Sequence, residues 1–536
     1  MPNTFKKIVD QLVWRQIWPS PNAHAAASAM AWDMRSDLSR NPFVYNLVSN
    51  TVLNRFNIVT KGWQPMASPA LAGTFGAGAT GAFAPSLGLT GTIAAGATTT
   101  SVVVSTAFPT AVGVNMLANR GGSGDKGFKI RIIDATAGKT EERWIVGNSA
   151  GTTPTITVDA AFTFTPSTGA RYEILAGRLF MLGASTLAAN IWRSFEVAAN
   201  TLSTGLATTN LPATIATDSS PLVLDEQYTP YNMAPGEGLV KGSFLYDTGL
   251  NALAATAAGA STLTGQATGG DAVVASNEYR NFQIRIVQDT TTPAAVGQRR
   301  IIASHTGGAS PVYTLGTAWT TQPSASAKFV IELPNLLLLR SSATTAVYTY
   351  NYGDGTVNNG TNSIAAGAWS STYFGAAPAA NAAGGMWMPS FGIQPDPARN
   401  ARHSFNYFFR GGAVTTLDVL DIAGSITGTW TAAVAYDGNT TPIGTGSTGA
   451  YSPFENEGRM FYLNAYVASA ANQIFRFDVQ NRVLSPFVST DFIQAGTAAL
   501  GGRMAAYCAI DGTDNYDVLL LQSHLSAVCQ ELVVLV

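Results

Sequence analysis

GRMFYLNAYVASAANQIFRFDVQNRVLSPF, Gly458–Phe487, decides how the rest of the chain is read. It opens on Gly-Arg, runs apolar to Leu463, turns through Ala and Asn, and re-enters an alternating run at Ile474–Val479. A second stretch, Gly177–Ser203, GRLFMLGASTLAANIWRSFEVAANTLS, repeats the plan, with its alternating run at Ile191–Val197. Phe195 stands where Phe477 stands, Val197 where Val479 stands, and Leu202-Ser203 where Leu484-Ser485 stand. Alternation of apolar and polar residues is the period of a half-buried strand. Two such strands about a small-residue turn, recurring at a distance, mark a repeat fold.

The unit extends outward from these copies. After Pro42 come FVYNLVSN and TVLNRFNIVTKGW, with Phe56-Asn57-Ile58 in the place of Phe477-Asp478-Val479. An octet, GAFAPSLG at Gly81–Gly88, recurs as GMWMPSFG at Gly385–Gly392, as GAYSPFEN at Gly449–Asn456, and more loosely as GRMAAYCA at Gly502–Ala509. Each octet precedes a paired-strand unit or an insertion, so the sequence assigns it as the fourth strand of a unit. Inner strands then begin near Phe43, Leu179, Leu336, Phe405, Met460 and Val518, which makes six units. The last stops at Val536 after two strands. Its missing outer strands are expected from the N-terminus, in Leu12–Trp18 and Ser28–Met34. A ring closed in this way leaves no free strand edge. The expectation is an all-β fold, a six-bladed β-propeller closed by N- and C-terminal strands. Lys6–Leu12 also permits a short helix, which Pro19-Ser20-Pro21 would end.

Two segments do not fit the blades, Leu89–Gly177 and Leu239–Pro334, and they resemble each other. Phe128-Lys129-Ile130-Arg131-Ile132 matches Phe282-Gln283-Ile284-Arg285-Ile286, and Arg143-Trp144-Ile145-Val146 matches Arg299-Arg300-Ile301-Ile302. Thr155–Phe162 matches Val312–Trp319, and Arg171-Tyr172-Glu173-Ile174 matches Lys328-Phe329-Val330-Ile331. Alternation throughout predicts two small antiparallel barrels or sandwiches. Placed between the fourth strand of one blade and the first of the next, they would stand side by side on one propeller face. The predicted division is 1–88 (closing strands of the last blade and blade one), 89–177 (first module), 178–238 (blade two), 239–334 (second module) and 335–536 (blades three to six).

The 536 residues can bury large cores. Charged residues make up 12% of the chain, about half the usual share, and net charge is −2 with no basic or acidic block. That excludes a nucleic-acid groove or polybasic membrane patch as an expectation. A surface so poor in charge suits a subunit whose faces are covered by neighbours. The opening MPNTFKKIVDQLVWRQIW carries no signal-peptide pattern, and no apolar run is long enough to span a bilayer.

Candidate chemistry is sparse, and the reading assigns no catalytic, cofactor-binding or metal site. His24, His305, His403 and His524 each lack a second ligand at metal spacing and read as surface or satisfied core residues. Gly121–Gly127 contains a Lys but lacks the spacing of a phosphate loop and precedes a strand, so it reads as a hairpin turn. Asp511, Asp514 and Asp517, or Asp354, could offer calcium oxygens, but Asp, Gly and Asn are also turn residues. Asp418, Asp421, Asp478 and Glu196 lie on strand repeats, where they would end blades or face out of them, not pair for glycoside hydrolysis. Trp63, Trp192, Trp387 and Trp430 recur at blade positions and read as packing between blades. Cys508 and Cys529 lie in apolar strand patterns and read as buried thiols, with one disulfide between them left open.

The inserted modules carry a resemblance. GNSAGTTPTITVDAAFTFTPSTGARYEI, after the strand at Arg143, is similar to the small β-domains of tailed-bacteriophage virion proteins, which read Thr-x-Thr-Val-Asp-x-x-Phe, a Pro-rich turn and Tyr-Glu-Ile. The propeller part resembles tail hub or nozzle proteins of short-tailed phages. The resemblance implies a non-enzymatic structural component of the virion, assembled in the host cytoplasm. It would partner itself in a homo-oligomeric ring, other virion proteins and tail fibres, with no sequence-specific nucleic acid, no cofactor and no membrane span. Propellers also host sugar hydrolases, so the alternative expectation is a carbohydrate-binding or carbohydrate-cleaving protein.

Overall fold

In the computed structural model the chain is all-β, with 51% of residues in strands and 1% in helix. The structure describes residues 15–22, 29–32, 43–49, 52–58, 60–66, 76–84, 88–118, 127–184, 192–203, 205–211, 222–224, 252–266, 274–340, 344–382, 385–389, 404–411, 414–435, 437–438, 448–452, 460–465, 473–478, 481–487, 503–511, 514–522 and 529–534. Lys6–Leu12 lies outside them.

Six antiparallel sheets follow one another along the chain. Sheet 1 is Ala29–Trp32, Phe43–Ser49, Val52–Asn57 and Gly62–Pro65. Sheet 2 is Gly76–Ala84, Arg178–Ala184, Trp192–Glu196 and Thr201–Leu202. Sheet 3 is Leu222–Leu224, Leu336–Arg340, Val347–Asn351 and Trp369–Ser370. Sheet 4 is Met386–Pro389, Phe405–Phe409, Thr416–Asp421 and Thr429–Ala435. Sheet 5 is Thr448–Ser452, Met460–Ala465, Gln473–Asp478 and Val483–Phe487, with Asp437–Gly438 added in parallel at its edge. Sheet 6 takes Arg503–Asp511, Asp514–Gln522 and Cys529–Val534 from the C-terminus and Arg15–Ile17 from the N-terminus. The leading strand of each sheet touches the leading strands of two others, in the cyclic order 1-2-3-4-5-6-1.

This order corrects three expectations. The octets are leading strands of their own sheets, not fourth strands of the sheets before: Gly81–Ala84 pairs with Arg178–Met181, and Met386–Pro389 with Asn406–Phe409. Small residues, as in GAGATGAFA, suit a strand that crowds against its neighbours; the octets read as fourth strands because each stands just before the next paired-strand unit or an insertion. The inserted modules therefore leave between the first and second strands of sheets 2 and 3, not between sheets. Finally, Ala29–Trp32 leads sheet 1, so Arg15–Ile17 alone comes from the N-terminus to sheet 6.

Packing between sheets is apolar and aromatic. All of Leu336–Leu339 are buried because both faces of that strand are covered. Trp192 and Phe180 of sheet 2 stack 5.3 Å apart, and Trp192 meets Tyr350 and Trp369 of sheet 3 at 5.2 and 5.1 Å. Such pairs add about 0.5–1.5 kcal/mol each beyond burial. Tyr45, Phe83 and Phe195 join sheets 1 and 2, and Phe409 and Phe477 join sheets 4 and 5.

Each insertion is a closed six-strand barrel. In barrel 1 the strands Thr90–Thr92, Arg171–Leu175, Lys129–Asp134, Lys139–Asn148, Thr155–Val158 and Ser101–Val103 pair in that order, and the bridge Ile93↔Val104 closes the circle. In barrel 2 the order is Leu253–Gly259, Lys328–Glu332, Gln283–Gln288, Arg299–His305, Val312–Leu315 and Thr262–Gly265, which returns to the first. The duplication seen in sequence holds, with one slip of register. Arg143 corresponds to Arg300, not Arg299: both send Nε to a carbonyl, Ala161 O or Ala318 O, and both lie over a ring, Phe162 or Trp319.

Sheets 1 and 6 are joined by buried polar groups. Asn46 Nδ2 donates to Gln522 Oε1, and Gln522 Nε2 donates to Asn22 O at 3.0 Å. Lys61 lies 3.0 Å from Glu531, and Trp63 Nε1 donates to Trp18 O. Gln522→Ala should lower unfolding free energy by about 1–3 kcal/mol, since it strips a buried amide of its partner. Urea denaturation reads this directly. Removing residues 1–22 should uncover the Cys529–Val534 edge and turn a monodisperse sample into an aggregating one by light scattering.

Candidate functional site

The densest chemistry lies where the two barrels and sheet 3 meet. In barrel 1 the residues Ile130 and Ile132 point into the barrel, so Lys129 and Arg131 point out of it by strand alternation. Yet Arg131 is fully buried. The second barrel covers this outer face: Lys139 pairs with Gln288, so the two barrels share one continuous sheet. Asp289 N–H also donates to Gly138 O at 2.9 Å. Gly138 has φ +67°, and a Cβ there would fall 2.4 Å from Asp289 O. Only glycine fits that approach.

The covered charges form one network. Arg131 Nε meets Glu142 Oε1 at 2.9 Å and its Nη1 meets Glu173 Oε2 at 3.0 Å. Arg285, the counterpart of Arg131, grips Glu332 at 3.0 and 2.8 Å, and Gln283 Nε2 donates to the same carboxylate. Arg299 bridges the barrels, 3.8 Å from both Glu173 and Glu332 and 3.2 Å from Asp354 in the loop between sheet 3's third and fourth strands. Arg171 joins Glu173 at 2.9 Å and also pairs with Asp354. With Lys129 near Glu142, five cations face four carboxylates. Burial pushes the Asp354 carboxyl up, but Arg299 and Arg171 overcome this and hold it below the usual range. Beside the network is a cleft of about 260 Å³, lined by Gln283, Arg299, Asn335, Asn351, Asp354 and Asn358 among others.

Barrel 2 is further anchored to the sheets by amides. Asn281 Nδ2 donates to Ile422 O and Ser425 O of the turn ending sheet 4's third strand. Asn359 Nδ2 donates to Asn281 Oδ1 and Ile426 O. Gly316 lets the chain at Asn358 approach, since a Cβ there would sit 2.1 Å from Asn358 O.

The residues singled out in sequence are dispersed. Asp354 is an ion-pair partner in the seam. Glu196 pairs with Arg178 at 2.9 Å, and Asp418 lies against Arg340 and Arg410, so both face buried or half-buried cations instead of leaving the sheets. Asp421 and Asp478 cap the turns that follow them through Ala423 N–H and Asn481 N–H. Trp192 packs between sheets 2 and 3, Trp387 and Trp430 against each other in sheet 4, and Trp63 against Phe56. Asp511 and Asp514 pair across a hairpin, and Asp517 lies on the same strand as Asp514, opposite Cys508, so all three are strand positions. Cys508 pairs with Asp517 and Cys529 with Gln522 on the two sides of one strand, five positions apart. Two strand spacings, about 10 Å, already exceed disulfide reach. Burial pushes the Cys529 thiol up to about 12. His24, His403, His524 and Gly121–Lys126 lie outside the described residues.

His305 is a satisfied core histidine. Its Nε2 accepts from Tyr279 N–H at 2.9 Å, and its Nδ1 is 2.8 Å from Thr306 O, which fixes the neutral tautomer. Burial takes its pKa down to about 4, against the Thr306 bond that raises it, and Arg280 lowers it further. Sequence reasoning missed the seam itself. Arg131 and Arg285 were visible as a repeat, but Glu142, Glu173, Glu332 and Arg299 gave no local signal. No family model matches this chain, and no curated protein matches it significantly.

Two measurements probe these groups. Unfolded His305 takes up a proton near pH 6.5, whereas the folded residue refuses it until about 4, so stability is lost as pH falls between them. The loss is on the order of 3 kcal/mol. His305→Asn, which copies Asn148 of barrel 1 accepting Leu117 N–H at 2.9 Å, should flatten that segment of the pH–stability curve. In the seam, Arg285→Ala should cost about 3–5 kcal/mol by stranding Glu332, while Arg285→Met with Glu332→Met should cost far less. A double-mutant cycle by denaturant melts checks this.

Proposed function

We propose that the six sheets are blades of a β-propeller closed by the two chain ends, and that the chain is a non-enzymatic structural subunit of a tailed-phage virion, in the tail as a hub- or nozzle-like ring component. The observation that carries the reading is the seam. Two copies of one barrel are fused edge to edge, and Arg131, Arg285 and Arg299 neutralise Glu142, Glu173, Glu332 and Asp354. Carboxylates held this way serve rigidity; a general acid or nucleophile needs a carboxylate left available to substrate. A stiff body with paired modules on one side suits docking to neighbouring subunits, and the low charge of the chain suits covered faces. Its partners would be copies of itself, other virion proteins and tail fibres. Among the described residues no helix is long and apolar enough to cross a membrane.

One observation favours a second reading, a carbohydrate-binding or carbohydrate-cleaving propeller. The cleft beside the seam is lined by amides, and Asn335, 4% exposed, has a side-chain oxygen with no donor among the described residues. A sugar hydroxyl would satisfy it. The two readings part experimentally. Light scattering after size exclusion should give a multiple of 55.9 kDa, and a glycan array and polysaccharide-cleavage assay should be blank. A monomer that binds or cleaves glycans, and loses that activity on Asn335→Ala, would reverse the choice.

A further inference from the structure

The two barrels present the same tip in opposite states. In barrel 1 the tip is the loop 113–118 and the bulge at Val146; in barrel 2 it is the loop 275–280 and the bulge at Ala303. Matching hydrogen bonds fix the correspondence. Asn115 N–H donates to Asn148 O as Asn277 N–H does to His305 O. Ala118 N–H donates to Asn115 O as Arg280 N–H does to Asn277 O. Ile145 N–H donates to Phe128 O as Ile302 N–H does to Phe282 O, and the strand register slips directly after both isoleucines. Val114, Met116 and Val146 therefore occupy the places of Ser276, Glu278 and Ala303.

The tip of barrel 2 is an interface. Arg280 Nη1 donates to Gly424 O at 3.1 Å, beside the bonds from Asn281 to Ile422 O and Ser425 O. Ala303 Cβ lies 3.7 Å from where a Cβ on Gly360 would stand. Glu278 is buried. The core of barrel 2 runs on without a break into sheets 2 to 5. Barrel 1 has a core of its own, joined to sheet 2 through Val197 and Ala198. At its tip Val114 is 65%, Met116 43% and Val146 46% exposed, three of the five large apolar side chains exposed among the described residues. Around them 112–118, VGVNMLA, and 146–151, VGNSAG, carry no charge.

We infer that the tip of barrel 1 docks on a second copy of this chain, against a turn between the third and fourth strands of one of its sheets. The sister tip shows what this module face binds: such a turn, Ile422–Gly428 in sheet 4, uncharged and rich in small residues. The sheet 4 turn of each copy is taken by its own barrel 2, so the tip of barrel 1 would use the corresponding turn of another sheet, such as the exposed Asn481-Arg482 in sheet 5. An apolar tip on a rigid barrel, meeting a turn of the kind its sister binds, gives a heterologous contact, which makes a ring where the rotation between copies closes. The inference rests on the proposed role as an assembling subunit and adds the surface that does it.

Sedimentation and light scattering across concentration test it with the full chain. Val114→Asp, Met116→Asp and Val146→Asp combined should weaken self-association by about tenfold or more at unchanged melting temperature. Val414→Asp, at an exposed apolar site outside the tip, should not. A photo-crosslinking residue at 116 should give a chain–chain adduct mapped to a sheet turn. Self-association that ignores the triple change, or crosslinks to other proteins only, overturns the tip assignment and leaves the assembling role standing. A wild-type chain that stays monomeric at every concentration overturns both.

Discussion

A strand edge left open at a chain end invites pairing with another chain, and that constraint shapes how the two ends of this molecule meet. Sheet 6 shows the cost most plainly. Its last strand, Cys529–Val534, would present open N–H and C=O groups if the chain simply stopped. Arg15–Ile17 covers it, from more than five hundred residues away in sequence. The contact holds because buried amides lock the neighbouring sheets: Asn46 reaches Gln522, and Gln522 reaches Asn22. The barrels meet the same constraint by closing on themselves, then merge one remaining stretch of edge through Lys139 and Gln288.

Joining two barrels edge to edge has an electrostatic consequence. Residues that would face water on an isolated barrel become interior. Each such ion loses hydration worth several kcal/mol, and mutual attraction repays this only with good geometry and matched signs. The seam satisfies both, with bidentate contacts from Arg285 to Glu332 and Arg131 shared between two carboxylates. This arrangement contributes specificity more than net stability. Arg131 and Arg171 hold Glu173 from its own barrel, and Arg299, 3.8 Å away on the other barrel, is the partner that a relative slide of the barrels would remove. The same logic explains Asp354, whose loop in sheet 3 is tied to both barrels at once.

Class and duplication were legible from alternation alone, because a period of two and the repeated Phe-x-Ile-Arg-Ile survive without context. Strand order was less so. The octets read as fourth strands because each stands just before the next unit or an insertion, and order along the chain does not say with which neighbour a strand pairs. Arg143 was paired one residue off because two adjacent arginines, Arg299 and Arg300, look alike until one of them is seen over Trp319. The seam was not legible at all. Arg131 alternates as an outward residue, and nothing near it in sequence announces that a strand some 150 residues later will bury it. A covered outer face is a fact about tertiary neighbours, and local pattern carries no trace of it.

The duplication is most informative where its copies differ. A gene-level repeat begins with identical surfaces, so divergence at matched positions records different environments. Inside, the copies agree: Ile130 with Ile284, Ile145 with Ile302, Phe162 with Trp319, all buried. At the anchoring face they part. Gly316 leaves room for Asn358 where barrel 1 carries Asp159, whose Oδ1 accepts Trp144 N–H. At the tip the docked copy has Ser276, Glu278 and Ala303, small or polar residues suited to a contact made mainly through hydrogen bonds to carbonyls. The undocked copy has Val114, Met116 and Val146, which gain nothing from water. Random drift at an exposed tip would favour neither class, while solubility would favour polar residues. An apolar tip whose described residues carry no charge and meet no other part of the described chain is what a covered surface looks like before its cover arrives.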